Sequence, residues 1–251
     1  MQWWWRRERS SDEIEQLFWV DDDGPVAAAL LTESKAEEWQ CDPLQVAGTT
    51  SPPIDELWEA AIGQIDGHVV GEVTVAVRDD DPVLQGLAAG SGFVPGDSFT
   101  NNWIDASERP EVIDLPAGFT LVDRSQRAGT PHPFRHRNGD AAERRLRETP
   151  LYDPGLDLSI EHEDGRLAGY SLYWYDAVTR TGLVEPVRVE DEFSRRGLAR
   201  AMITHGLDRL AARGAERVKI GNASEAAGAL YRGLGFRPTT TDTTYAGRRD
   251  R

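Results

Sequence analysis

Apolar positions in the second half of the chain change from strand-like to helix-like spacing. Leu158–His162 and Leu167–Tyr175 flank Asp164-Gly165, a pattern that predicts two antiparallel strands joined by a two-residue turn. Leu183–Val189 predicts a further strand. Pro186 lies inside it and cannot donate to a ladder, so we expect the sheet to open there.

Helical spacing follows this strand. Ala199, Ile203, Gly206 and Leu210 recur at intervals of three or four residues up to Arg213-Gly214, where a cationic turn and a glycine end the helix. The other predicted elements are strand Arg217–Ile220, a helix from Ser224 to Gly235, a strand pair from Phe236 to about Tyr245, strand Gly118–Asp123 and helix Asp140–Glu148. The second half therefore predicts a mixed α/β fold.

The two halves of the chain repeat one pattern. Leu87–Pro95 matches Leu230–Pro238 at five of nine positions, with an offset of 143 residues. The same offset places Asp42-Pro43 on Glu185-Pro186. Because one register holds across separate segments, we predict an α/β (α+β) chain of two similar mixed-sheet domains in tandem, residues 1–115 and 118–251.

Charge and composition narrow the function classes. The formal charge of −15 argues against a nucleic-acid partner, because binding phosphates needs an excess of Lys and Arg. Residues 1–117 hold 6 basic and 24 acidic side chains, whereas residues 118–251 hold 22 and 19, so only the second half suits a polyanionic ligand. The longest apolar run, Val26–Leu31, is too short to cross a membrane. Cys41 is the one cysteine, which predicts a cytoplasmic protein without a metal site.

The segment Ser194-Arg-Arg-Gly-Leu-Ala199 has the features of an anion-binding loop. It lies between a predicted strand and a predicted helix, so its amides fall in the first helical turn, where N–H groups have no intrahelical partner and the dipole favours anions. Arg195 and Arg196 add charged donors, and Gly197 allows close approach to the backbone. The alternative is an ordinary helix start with solvated arginines.

The order of this loop, a helix, a strand and a helix ending in Leu-Tyr-Arg-Gly-Leu-Gly-Phe resembles the GNAT superfamily of acyl-CoA-dependent N-acyltransferases. The resemblance covers about residues 118–246. It implies that Tyr231 protonates the departing thiolate and that an amide of Val187 or Val189 polarises the thioester carbonyl. It further implies that the loop binds the pyrophosphate of acetyl-CoA, through residues Arg195, Arg196, Gly197, Leu198, Ala199 and Arg200.

Three further side chains are candidates for the site. The resemblance places a catalytic glutamate on the strand of Glu185, which could take the proton of an amine acceptor. A bulge-forming carboxylate with no catalytic role, or a proton relayed by water, is the alternative. The asparagine that contacts pantetheine in the family aligns with Ser224, while Asn222 lies two residues earlier, and either could serve. A cap or turn role is the alternative for both, and Tyr231 has a core role as its alternative.

The first half has lost these features. The segment that corresponds to the anion loop is Ser51–Glu56, in which two prolines remove amide donors and Asp55 and Glu56 bring carboxylates. Ala88 stands at the position of Tyr231. We expect this half to complete the acceptor cleft, where its acidity would attract a cationic amine, or to serve as a structural or dimerisation module.

The sequence thus predicts an N-acetyltransferase that moves the acetyl group from acetyl-CoA to a primary amine of a small molecule by direct attack. The alternative is a non-catalytic acyl-CoA sensor or a protein-interaction module, which exposed tryptophans at positions 3–5 would favour. The acceptor, the acyl length and a homodimer stay open.

Overall fold

The computed structural model describes residues 12–46, 48 and 52–250, so the tryptophans at positions 3–5 lie outside the described residues. The chain forms two compact units. The second-half unit comprises Thr100–Thr239, and the first-half unit comprises the described residues up to Phe99 together with residues 240–250. This division differs from the predicted one at residues 115–118, because two strands, residues 94–105 and 237–249, each have residues in both units.

The elements alternate along the chain as expected for a mixed α/β fold. Up to residue 105 they are β1 Leu17–Asp21, β2 Gly24–Lys35, β3 Glu38–Gln45, α1 Ile54–His68, β4 Gly71–Arg78, α2 Pro82–Gly90 and β5 Val94–Asp105. After it they are β6 Phe119–Asp123, α3 Arg135–Glu148, β7 Asp157–His162, β8 Leu167–Asp176, β9 Thr181–Val189, α4 Leu198–Ala212, β10 Arg217–Asn222, α5 Glu225–Arg232 and β11 Arg237–Arg249.

The first-half unit is built on a sheet in which β1, β2 and β3 are antiparallel neighbours and β3 and β4 run parallel. Residues 242–249 of β11 pair with β4 in antiparallel register. Val73, Val75 and Val77 of β4 are fully buried because alternate strand residues face one side of the sheet. They share a core with Leu57 and Ile65 of α1, whose apolar positions recur at helical spacing.

The second-half unit repeats this arrangement. Strands β6 to β9 are antiparallel neighbours, β9 and β10 run parallel, and residues 100–105 of β5 pair with β10. Helix α4 packs closely on the sheet because Gly206 leaves room for Tyr173, whose ring would lie 2.0 Å from a Cβ at that position. The Tyr173 hydroxyl donates to the Met202 carbonyl at 2.8 Å. Strand β8, which pairs with the candidate-site strand β9, is thereby fixed to the helix that follows the anion loop.

The sequence repeat is a structural repeat. With the offset of 143, α1 falls on α4 within one residue at each end, and β3, α2 and β5 begin at the counterparts of the first residues of β9, α5 and β11. The parallel pairs β3–β4 and β9–β10 occupy corresponding places. The predicted tandem of mixed-sheet folds is confirmed.

Two predicted elements differ from the structure. The strand pair expected from Phe236 to about Tyr245 is one long strand, β11, because residues 237–249 contain no turn that reverses the chain. Helix α3 begins at Arg135 and not at Asp140, with a break at Gly139, where φ is 78°. The predicted helix is the part that follows this break. None of the described helices is long and apolar enough to cross a membrane.

Candidate active site

The sheet of the second-half unit opens between β9 and β10. The two strands pair only as far as Val184 and Ile220, after which β9 continues to Val189 and β10 to Asn222. A β-bulge lies at the opening, since the β8–β9 register shifts there and the Glu185-Pro186 peptide bond is cis. The opening predicted from Pro186 is confirmed. The backbone of Glu185 lies in a bulge, as the alternative for this residue predicts.

Main-chain donors line the β9 side of this opening. The Glu190 amide donates to Ala168 on β8 at 2.9 Å. Because amides alternate in direction along a strand, those of Val189 and Val187 point away from β8 and toward the side where β10 no longer pairs. Both residues are half-buried. The two predicted amide donors therefore lie on the open side of the strand.

Tyr231 and Glu185 are electrostatically coupled. The Tyr231 side chain is 8% exposed, and its ring packs beside Phe236 with centroids 6.1 Å apart. Burial, and next the negative charge of Glu185, raise the pKa of Tyr231 to about 12. The phenol therefore keeps its proton at neutral pH. Glu185 is half-buried, and its carbonyl accepts the Trp174 indole N–H at 2.7 Å, which fixes the bulge.

The loop before α4 ends in an uncapped helix N-terminus. Gly197 is the N-cap residue with φ 83°, and no side chain caps the helix. The first intrahelical bond runs from the Ala201 amide to the Gly197 carbonyl, so the amides of residues 198–200 precede the ladder. A Cβ at Gly197 would meet nothing within 4 Å, so an anion can approach this backbone from open space. Arg195 also has a positive φ of 60°.

The same segment is similar to a known family. The model of the acetyltransferase (GNAT) family matches residues 124–236, which contain the opening, the loop and Tyr231. A protein named mycothiol acetyltransferase from Clavibacter michiganensis subsp. michiganensis is 31% identical over 207 residues, 75% of this chain and 65% of that relative. This chain thus spans slightly less than two thirds of that relative's length.

The chain is also similar to a second mycothiol acetyltransferase and to a solved tandem GNAT structure. A second protein named mycothiol acetyltransferase, from Clavibacter sepedonicus, is 28% identical over 89% of this chain and 77% of its own length. Among solved structures, a tandem GNAT protein from the clavulanic acid biosynthesis pathway has a TM-score of 0.67 at 20% identity, over 90% of this chain and 80% of that one. The fold of this chain is thus that of tandem GNAT proteins.

The arginines in and directly after the anion loop, residues 194–199, make different contacts. Arg195 and Arg196 are exposed, and the Arg196 guanidinium lies 5.6 Å from the centre of the Phe193 ring and donates to the Glu192 carbonyl at 3.4 Å. Arg200 instead donates its side chain to the Gly233 carbonyl at 2.9 Å, at the end of α5. Its amide alone therefore remains a candidate for the phosphate contact.

Asn222 and Ser224 have the cap and turn roles that the sequence left as the alternative. The Ser224 hydroxyl accepts the Ala227 amide at 3.3 Å and caps α5. The Asn222 amide donates to the Ser224 carbonyl at 3.1 Å, and its oxygen accepts from Asn102 at 2.8 Å. A contact of either side chain with pantetheine stays a prediction. Asn102 was not identified from the sequence, since a single asparagine in a strand carries no local signal.

In the first-half unit, the positions that correspond to the anion loop and to Tyr231 hold different residues. Helix α1 has Pro53 as its N-cap residue and Asp55 and Glu56 in its first turn, whereas the first turn of α4 has no acidic residue. Ala88 is fully buried on α2. The carboxylates would repel a phosphate at this helix end, so the start of α1 does not suit an anion.

An open cavity of about 640 Å³ lies on the second-half unit next to the anion loop. The Glu190 carboxylate accepts from Arg137 at 2.8 Å across its wall, and Arg166 pairs with Glu192. The cavity is lined by Pro133, His136, Arg166, Leu167, Glu190, Asp191 and Glu192. None of the predicted site residues is among these.

Proposed function

We propose that the second-half unit transfers the acetyl group of acetyl-CoA to a primary amine by direct attack on the thioester. One observation carries this proposal: a buried, protonated Tyr231 beside Glu185 accompanies an uncapped helix N-terminus with two exposed arginines. A sensor would use the anion loop but has no need of a thiolate acid. The match of residues 124–236 to the acetyltransferase (GNAT) family supports the same reaction class.

The open amides and the arginines suit the phosphates of acetyl-CoA. Free N–H groups at a helix start bind phosphate through both hydrogen bonds and the helix dipole. Arg195 and Arg196 would add charged donors to the same phosphates. The amides of Val187 and Val189 would donate to the oxygen on which negative charge develops when the amine attacks. The bound substrate supplies the reactive thioester, and the chain supplies these donors.

Proton movements assign different roles to Glu185 and Tyr231. Glu185 takes a proton from the attacking nitrogen as the C–N bond forms, and Tyr231 gives its proton to sulfur as the C–S bond breaks. The charge interaction between Glu185 and Tyr231 favours proton uptake by Glu185 before proton donation by Tyr231. A protonated Glu185 no longer raises the pKa of Tyr231, so the phenol becomes a stronger acid when the thiolate leaves.

We propose that the acceptor is a small-molecule amine, and that the unacetylated precursor of mycothiol is the first compound to test. The support is the name of the two Clavibacter relatives. The experiment mixes the protein, acetyl-CoA and single amines from a panel of amino sugars, aminoglycosides, amino acids, polyamines and this precursor. Free thiol is measured together with the mass of the acetylated product. Acetyl-CoA binding without thiol release on any amine would support the sensor instead.

Glu185→Gln should move the alkaline limb of the pH–rate profile to lower pH. The amide is neutral, so it removes the charge that helps to raise the pKa of Tyr231 to about 12. The acid is active only while protonated, so activity is lost as pH rises through this pKa. A lower Tyr231 pKa therefore shortens the active range on its alkaline side. The measurement is kcat against pH for both proteins. An unmoved alkaline limb would contradict the coupling.

A further inference from the structure

A buried asparagine from β5 lies next to the strand that ends at the active site. Asn102 is 1% exposed and belongs to the part of β5 that is in the second-half unit. This part pairs with β10 in antiparallel register, with Asn102 opposite Ile220. Ile220 is the last β10 residue paired with β9 before the sheet opens. Asn102 therefore lies at the level of the opening, and it comes from outside the segment that the GNAT family model matches.

The orientation of the Asn102 amide is fixed by its neighbours. Its Nδ2 atom lies 3.1 Å from the Thr100 carbonyl, 3.3 Å from the Ile220 carbonyl and 2.8 Å from Oδ1 of Asn222. Carbonyl oxygens only accept, so the nitrogen of Asn102 must face them. Asn222 then has to present its oxygen to Asn102. Its own nitrogen is left to donate to the Ser224 carbonyl at 3.1 Å.

This chain of hydrogen bonds ends at the start of α5. Ser224, which receives the Asn222 bond, caps the helix by accepting the Ala227 amide. Gly228 in the first turn lets Asn222 approach, since a Cβ there would lie 3.1 Å from Nδ2 of Asn222. Tyr231 follows one turn later on this eight-residue helix. In so short a helix, fixing the first turn restricts the placement of Tyr231.

We propose that Asn102 is a positioning residue, which holds Asn222 and through it the α5 start that places Tyr231 at the opening. The catalytic consequence rests on the proposed function, whereas the structural link does not. The last strand of the first repeat, β5, would then contribute a positioning residue to the second-half unit.

The test compares Asn102→Ala with Asn101→Ala, the neighbouring asparagine on β5, which is also buried. The first readout is hydrogen–deuterium exchange of the α5 amides in the protein without acetyl-CoA. We expect about tenfold faster exchange in α5 for Asn102→Ala, and exchange within twofold of wild type for Asn101→Ala. The second readout is turnover with acetyl-CoA, for which we expect a kcat about tenfold lower in Asn102→Ala only.

A double-variant cycle tests the route of the effect. If Asn102 acts through Asn222, the effects of the two substitutions are not additive. Asn102→Ala/Asn222→Ala should then have the same α5 exchange rates and the same kcat as Asn222→Ala alone. If Asn102→Ala does not fold, the half-buried Asn222→Ala replaces it and should show the same α5 exchange. Unchanged α5 exchange, or additive losses, would overturn the proposal. Faster α5 exchange in a protein that transfers no acetyl group would support the link and reject the proposed function.

Discussion

Tyr231→Phe should lower kcat about 100-fold or more, while the Kd for acetyl-CoA stays within about twofold. The change removes one hydroxyl from a side chain that is 8% exposed and keeps the ring beside Phe236, so the fold of α5 is retained. A positioned general acid contributes about 100- to 10,000-fold to a rate. The proposed coenzyme donors lie on β9 and at the start of α4, so we expect binding not to depend on this hydroxyl.

The measurement is steady-state turnover together with calorimetric titration of acetyl-CoA. Tyr175→Phe is the matched control, since Tyr175 is a half-buried tyrosine on β8 of the same unit. We expect kcat of the control to stay within about twofold of wild type. Unchanged turnover in Tyr231→Phe would assign Tyr231 to the core and leave the thiolate without a protein acid.

Arg195→Glu/Arg196→Glu should weaken acetyl-CoA binding about 100-fold or more. Both side chains are exposed beside the uncapped α4 start, where Gly197 leaves the backbone open. A hydrogen bond to a charged group contributes about 1.5–3 kcal/mol, and the new carboxylates would repel the phosphates as well. Since neither arginine is buried, the free energy of unfolding should change little.

A second double charge reversal controls for net charge. Arg144 and Arg180 are exposed on the same unit, so Arg144→Glu/Arg180→Glu changes the overall charge equally away from the loop. Calorimetric Kd values at low and high salt should show a large loss for the loop variant and a small one for the control. Equal losses would mean that long-range attraction, and not the loop, binds the phosphates.

Local patterns in the sequence predicted the elements that position the site. Pro186 predicted the opening because a proline interrupts a ladder wherever it occurs, and Ser224 predicted the α5 cap by its side chain. Gly197 predicted an accessible backbone. In the structure its φ is positive and a Cβ at this position would meet nothing within 4 Å. The repeat then extended these predictions from one half of the chain to the other, including the acidic start of α1.

Long-range pairing could not be predicted in the same way. Nothing in residues 94–105 indicates that their second part pairs with β10, because strand partners are selected by tertiary packing. The division of β5 and β11 between units therefore differs from domains cut in chain order. Asn102 was missed for the same reason, since its role depends on atoms more than 100 residues away.

Thermal unfolding of the wild-type protein during acetyl-CoA titration shows whether the second-half unit binds the coenzyme. A ligand that binds only the folded state stabilises it by about 2.7 kcal/mol at 100 times its Kd. We expect a saturable rise in Tm for wild type and almost none for Arg195→Glu/Arg196→Glu at the same concentrations. An unchanged wild-type Tm up to millimolar acetyl-CoA would contradict coenzyme binding and, with it, acetyl transfer by this unit.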